Sequence, residues 1–167
     1  MKKCILIATL FSASISNAQD KSQTTEPLPD IAADLSALNT HFSGIATFRI
    51  DRDDRLITEY IDQGTAYRVD EAYLEFLNAN GVTFNAEEHT VMVKCTEENL
   101  PTGQTTGKCI DKEVKKTGAI SQTGRMNLPV PSGDANGAKA ITMLGKLLRD
   151  SQQVLSNGTK SKHKRKN

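Results

Sequence analysis

The sequence predicts an α+β protein: a single domain built on a mainly antiparallel sheet of about 6–7 strands, with a helix at each end. Three observations lead there. Apolar residues recur at helical spacing over residues 30–42 and again over 137–155. Between these stretches the period shortens to that of β-strands, broken at close intervals by turn-forming residues. A run of strands between terminal helices is the pattern of an antiparallel sheet whose apolar face a helix covers.

Each element follows from its residues. Residues 19–29 are polar and proline-punctuated, an unstructured lead-in. Ile31, Leu35, Leu38 and Phe42 then form one helical stripe, with Asp30 placed to cap it and Gly44 just beyond its end. Ile45 to Ile50, Leu56 to Ile61 and Thr65 to Val69 read as strands, separated by the charged reversal from Asp51 to Arg55 and by Asp62-Gln63-Gly64. Asp70 stands where a helix cap would, ahead of Tyr73, Leu74 and Leu77, and Asn80-Gly81 ends that short helix. Val82 to Phe84 and Thr90 to Cys95 read as a hairpin, with Val91, Val93 and Cys95 on one face. Further strands are expected at Lys108 to Val114 and Arg125 to Val130. The last element is the clearest. From about Gly137 to Leu155, Ala140, Ile141, Leu144, Leu147, Leu148, Val154 and Leu155 line one side and Lys139, Lys146, Arg149 and Gln153 the other. Residues 156–167 are polar, then basic, and are expected to be disordered. Seven strands and a C-terminal amphipathic helix are also the element order of pleckstrin-homology-like barrels. The likeness is one of element count, carried by no motif, and it leaves a closed barrel open as an alternative.

The first 18 residues have the form of a secretory signal peptide. Lys2 and Lys3 precede a short apolar core from Cys4 to Phe11, and Ser16 and Ala18 supply the small residues a signal peptidase requires. Cleavage is expected between Ala18 and Gln19, leaving about 149 residues, the size of one domain. The apolar core falls far short of the roughly 20 residues that span a bilayer, so no transmembrane segment is expected in the mature chain. The paired lysines have a bacterial style, which places the protein in the periplasm or outside the cell.

Charge is unevenly placed. The chain has 21 Lys+Arg against 20 Asp+Glu, but two bases leave with the leader and five more, Lys160, Lys162, Lys164, Arg165 and Lys166, crowd the end. The body between is therefore acidic, which argues against nucleic acid as its ligand. The tail could rest on an anionic surface or simply solubilise the chain. Mean hydropathy of −0.44 fits a soluble body. Removing Cys4 leaves Cys95 and Cys109, an even pair in an exported protein and an expected disulfide. Their spacing is nothing like that of a redox C-x-x-C pair.

No catalytic, cofactor or metal motif assembles. Asp51-x-Asp53-Asp54 begins like a calcium loop, but Arg55 and Leu56 stand where an oxygen ligand and a glycine belong. Glu87-Glu88-His89 sits in a hairpin, where neighbouring side chains point to opposite faces rather than converging on a metal. His41 and His89 are the only candidate bases in the body, and no nucleophile is placed beside either. Arg49, Tyr60, Tyr67, Arg68 and Tyr73 could form an interaction face, since Tyr and Arg are common anchors, or be ordinary strand residues. The functional expectation is a non-catalytic binding protein of the bacterial envelope or exterior, taking a protein or small ligand. A small secreted hydrolase and a surface-attached protein using its tail are the alternatives.

Overall fold

The computed structural model describes residues 29–96 and 107–164, with side chains to residue 158. The expected leader with its Ala18–Gln19 junction, most of the lead-in, residues 97–106 and residues 165–167 lie outside the described residues. Helix α1 (Ile31–His41) leads into strands β1 (Ala46–Ile50), β2 (Arg55–Asp62) and β3 (Thr65–Tyr73). A 3-10 turn (Leu74–Phe76) connects to β4 (Thr83–Asn85) and β5 (Thr90–Lys94), followed by β6 (Ile110–Val114), β7 (Ala119–Thr123) and β8 (Arg125–Pro129). A second 3-10 turn (Ala135–Gly137) opens α2 (Ala138–Lys164). The fold class is the α+β class expected.

The strands form two sheets, not a barrel. One has the order β1-β2-β3-β6-β7 and the other β4-β5-β8, and every paired neighbour is antiparallel. The alternative of a closed pleckstrin-homology-like barrel is thus corrected. The chain leaves the first sheet after β3, builds β4 and β5, returns for β6 and β7, and leaves again for β8. That last departure takes one residue. Thr123 ends β7, Arg125 begins β8, and Gly124 lies between. A Cβ on Gly124 would sit 1.9 Å from the carbonyl oxygen of Gly107, so only glycine lets the two segments approach this closely.

Two local expectations also change. The helix expected after Asp70 is absent: Asp70 to Tyr73 continue β3, and only the turn Leu74–Phe76 is helical. Asp70 accepts hydrogen bonds from Arg68 on its own strand and from Tyr60 on β2 instead of capping a helix. The eighth strand, β7, escaped the sequence reading because Ala119 to Gln122 are exposed and carry no apolar alternation. At the other end α2 runs past Leu155 to Lys164. No proline interrupts the segment.

The core lies where both sheets meet the helix pair. Leu38 of α1 and Phe42 at its C-cap, Phe48, Leu56 and Tyr60 of the first sheet, Val91, Val93, Met126 and Leu128 of the second, and Leu144, Leu147 and Leu148 of α2 are fully or almost fully buried in one cluster. Asp30 caps α1 through the Ala33 amide, as expected. Asn39 of α1 uses both ends of its carboxamide on the N–H and C=O of Phe48, closing part of the free edge of β1. The disulfide Cys95–Cys109 is present, with Cα atoms 5.8 Å apart. It ties the end of β5 to the start of β6, and hence one sheet to the other. Closing a loop of this length contributes about 3 kcal/mol in the chain-entropy picture.

The sheet switch can be tested directly. Gly124→Ala is expected to lower the unfolding free energy by about 3 kcal/mol, read from urea melts. Gly118→Ala, in open space at φ +64°, should cost about 1 kcal/mol. Equal melts for the two variants would refute the close approach at Gly124.

Candidate functional site

The inner face of the first sheet changes character along its strands. One cross-strand row, Leu56, Ala72, Ile110 and Thr123, begins in the apolar core. The adjacent row is Thr58, Asp70, Lys112 and Ser121. Burial falls along it, from Thr58 at 0% and Asp70 at 1% exposure to half-buried Lys112 and exposed Ser121. Here β6 and β7 reach past the cover of the second sheet, and a polar cleft of about 270 Å³ opens between them and β8. Arg68, Asp70, Lys112, Ser121, Thr123, Arg125 and Asn127 line it.

The floor of the cleft is fixed by a buried carboxylate. Asp70 Oδ1 accepts from Arg68 Nε at 2.8 Å; Oδ2 accepts from Arg68 Nη2 at 2.6 Å and from the Tyr60 hydroxyl at 2.9 Å. The guanidinium also lies over the Tyr60 ring, 3.6 Å from its centre, and Nη2 reaches the Asn127 carbonyl across the sheets at 3.3 Å. Removing one partner of a buried ion pair costs about 3–5 kcal/mol, so Arg68 is committed to Asp70. Burial pushes the Tyr60 hydroxyl well above the usual phenol range, and the Asp70 charge adds to that, outweighing Arg68.

The rim is looser. Arg125 pairs with Glu88 at 2.8 Å, but both side chains are more than a third exposed, and such surface pairs are worth about 0–1 kcal/mol. Glu88 also accepts from Asn127 Nδ2. Lys112 has no hydrogen bond or ion pair among the described residues, and none joins it to Ser121.

The five residues considered for an interaction face divide. Tyr60, Tyr67 and Arg68 come together, because the pairing of β2 with β3 shifts register between Tyr60 and Ile61. This bulge leaves Tyr67 without a partner and turns it to the Tyr60 side, ring centres 6.2 Å apart. Tyr60 itself is buried and can contact no partner. Arg49 is exposed and pairs in register with Ile57, on the opposite face. Tyr73 packs on Phe76, ring centres 5.8 Å apart. In the tail, Lys160, Lys162 and Lys164 fall within the helical backbone of α2, while Arg165 and Lys166 lie outside the described residues. Sequence reading missed Lys112, Ser121, Thr123, Arg125 and Asn127 as a group. Only the strand register brings them together.

The other candidates resolve into structural roles. Asp51 accepts from the amides of Asp53 and Arg55 and from the Arg55 side chain, which closes the β1–β2 reversal on itself. His89 stacks edge-on to Phe84 at 5.6 Å. His41 Nε2 meets Asp134 Oδ2 at 3.0 Å, with both side chains at least nine-tenths buried. Asp134 also accepts from the amides of Lys139 and Ala140 at 3.0 and 2.9 Å, capping α2. Burial raises the Asp134 carboxyl, but these amides and His41 outweigh it and hold it below the ordinary range. Among the described residues no group of three His, Cys, Asp or Glu could hold a metal, and no helix is long and apolar enough to cross a membrane.

In comparison with known proteins, no family model matches the chain, and neither does any curated protein or solved structure.

Two titrations test this electrostatic picture. Asp134 is lowered in the fold, so its stabilisation is complete above the unfolded value of about 3.9 and fades as pH falls through the folded one. Asp134→Ala should cost about 1–2 kcal/mol at neutral pH, with the gap to the parent narrowing in acid unfolding curves below about pH 4. Tyr60 is raised, so the unfolded chain gives up its proton first and stability declines as pH rises above about 10. In an alkaline absorbance titration the Tyr60 phenol should ionise only as the fold opens, a late step that Tyr60→Phe removes. A titration curve in which Tyr60→Phe removes no step coincident with unfolding would contradict the buried Tyr60.

Proposed function

We propose that the chain is an exported, non-catalytic binding protein of the bacterial envelope or exterior, and that the cleft between its two sheets is the ligand site. The observation that carries this reading is the division of labour among the lining groups. Arg68, Asp70 and Tyr60 satisfy one another and form a rigid floor, while Lys112, Ser121 and Arg125 face solvent with little or nothing to hold. Preorganised polar groups around a small opening are what a binding site needs. A hydrolase would need a nucleophile joined to a base. Among the described residues the cleft hydroxyls have no histidine beside them, His41 is spent on Asp134, and the Lys112 side chain makes no hydrogen bond to the Ser121 hydroxyl. The disulfide supports export, since such bonds persist in oxidising compartments. The leader-like residues 1–18 supply the route.

Expression of the whole chain with a C-terminal tag in a bacterial host should yield an extracytoplasmic protein whose first residue is Gln19, read by N-terminal sequencing. A product that stays in the cytoplasm with Met1 intact would overturn the export reading. Titration of labelled mature protein with a small-molecule extract of the host envelope should move the amide resonances of Lys112, Ser121 and Asn127. Shifts confined to the opposite face, around Arg49 and Ile57, or turnover of the bound compound, would overturn the cleft reading.

A further inference from the structure

We infer that the cleft binds a small oxyanion, a carboxylate or phosphate group, seated between the Lys112 ammonium, the Ser121 hydroxyl and the Arg125 guanidinium. This rests on the reading of the cleft as the ligand site and adds the chemistry of what enters it.

The argument is one of charge accounting within the cleft. Its walls carry three cations, Arg68, Lys112 and Arg125, and one carboxylate, Asp70. Asp70 is the direct cross-strand neighbour of Lys112, and an ammonium beside a carboxylate would ordinarily pair with it. Here the Asp70 charge is already matched by the Arg68 guanidinium, which bonds both oxygens, with Tyr60 adding a third bond, and Lys112 makes no bond to it. Lys112 is left half-buried with no counterion. Arg125 pairs with the exposed Glu88, a contact weak enough to be shared with or exchanged for an arriving anion, and its Nη1 otherwise meets only the weakly accepting Met92 sulfur at 3.7 Å. Ser121 faces Lys112 across the β6–β7 pair, and its hydroxyl makes no hydrogen bond among the described residues, so it is available as a donor. These groups sit on three strands around one opening, the arrangement that charge-assisted hydrogen bonds to an oxyanion call for. At about 270 Å³ the space lies just below the roughly 300–1,000 Å³ of drug-sized sites, so the ligand is a small acid or the acidic end of a larger molecule.

The test is calorimetric titration of the mature protein at constant ionic strength with sodium phosphate, sodium acetate and, as neutral probes, glycerol and glucose. The amide resonances of Lys112 and Ser121 are followed in parallel. Phosphate or acetate should bind saturably and move those resonances, and which of the two binds more tightly separates a phosphorylated ligand from a carboxylic acid. Lys112→Met should weaken the preferred anion by about tenfold or more, and Lys112→Arg should keep most of the affinity. Both variants should unfold at the parent's midpoint, since the Lys112 side chain makes no hydrogen bond or ion pair among the described residues. The inference falls if glycerol or glucose binds in the cleft as well as the anions do, or if Lys112→Met binds as the parent does. A neutral ligand moving the cleft resonances while both anions leave them unmoved would sink the oxyanion and keep the binding site. Cleft resonances unmoved by all four probes and by envelope extract would sink both.

Discussion

Asp70 is a carboxylate at 1% exposure between two sheets, and a buried charge persists only when it is paired and hydrogen-bonded. Arg68 meets it with two parallel bonds and Tyr60 with a third, and each of those groups is then held by the other through the guanidinium lying on the ring. The bulge between Tyr60 and Ile61 belongs to the same arrangement. It brings Tyr67 to the same side as Tyr60 and Arg68. From Arg68 the network reaches Asn127 on β8 and so crosses to the other sheet. The cleft exists because this polar row lies where the second sheet stops covering the first. Its free positive charge exists because Asp70 is already satisfied.

The two sheets are kept in place by constraints of different kinds. A covalent tie runs from β5 to β6 through Cys95 and Cys109. A steric one sits at Gly124, where the chain changes sheets against the carbonyl of Gly107. Polar side chains lock the helices onto this frame. Lys146 of α2 bridges Asp34 of α1, Gln152 of α2 donates to the carbonyls of Leu74 and Leu77, and Asp134 joins the end of α1 to the start of α2. The apolar cluster supplies most of the driving force. These polar contacts fix the two helices against each other and against the turn after β3.

Much of the fold was legible because its signals are local. The stripe through Leu35, Leu38 and Phe42, the Asp30 cap, and the apolar face of α2 each follow from residues a few positions apart. The pairing of Cys95 with Cys109 needed only their number and the expectation that Cys4 leaves with residues 1–18. What failed were elements whose state depends on distant partners. Asp70 has the residue type of a helix cap, yet it lies mid-strand because Tyr60 and Arg68 satisfy it better there. β7 carries no burial pattern because it is an exposed edge. Gly124 looks like any glycine until Gly107 is placed against it.

The candidate site divides in the same way. Sequence alone drew attention to Tyr60, Tyr67 and Arg68 by residue type, and set Arg49 and Tyr73 wrongly beside them. It determined the class of the protein, its two helices, most of its strands and the residues of its disulfide, because helical and strand periodicities and cysteine pairing are written within short stretches. Tertiary structure decided that Lys112, Ser121, Thr123, Arg125 and Asn127 share one opening with Arg68 and Asp70. Those residues lie on four strands in two sheets, and neighbourhood across strands is set by register and by where the sheets diverge. Neither is encoded in the spacing of residues along the chain.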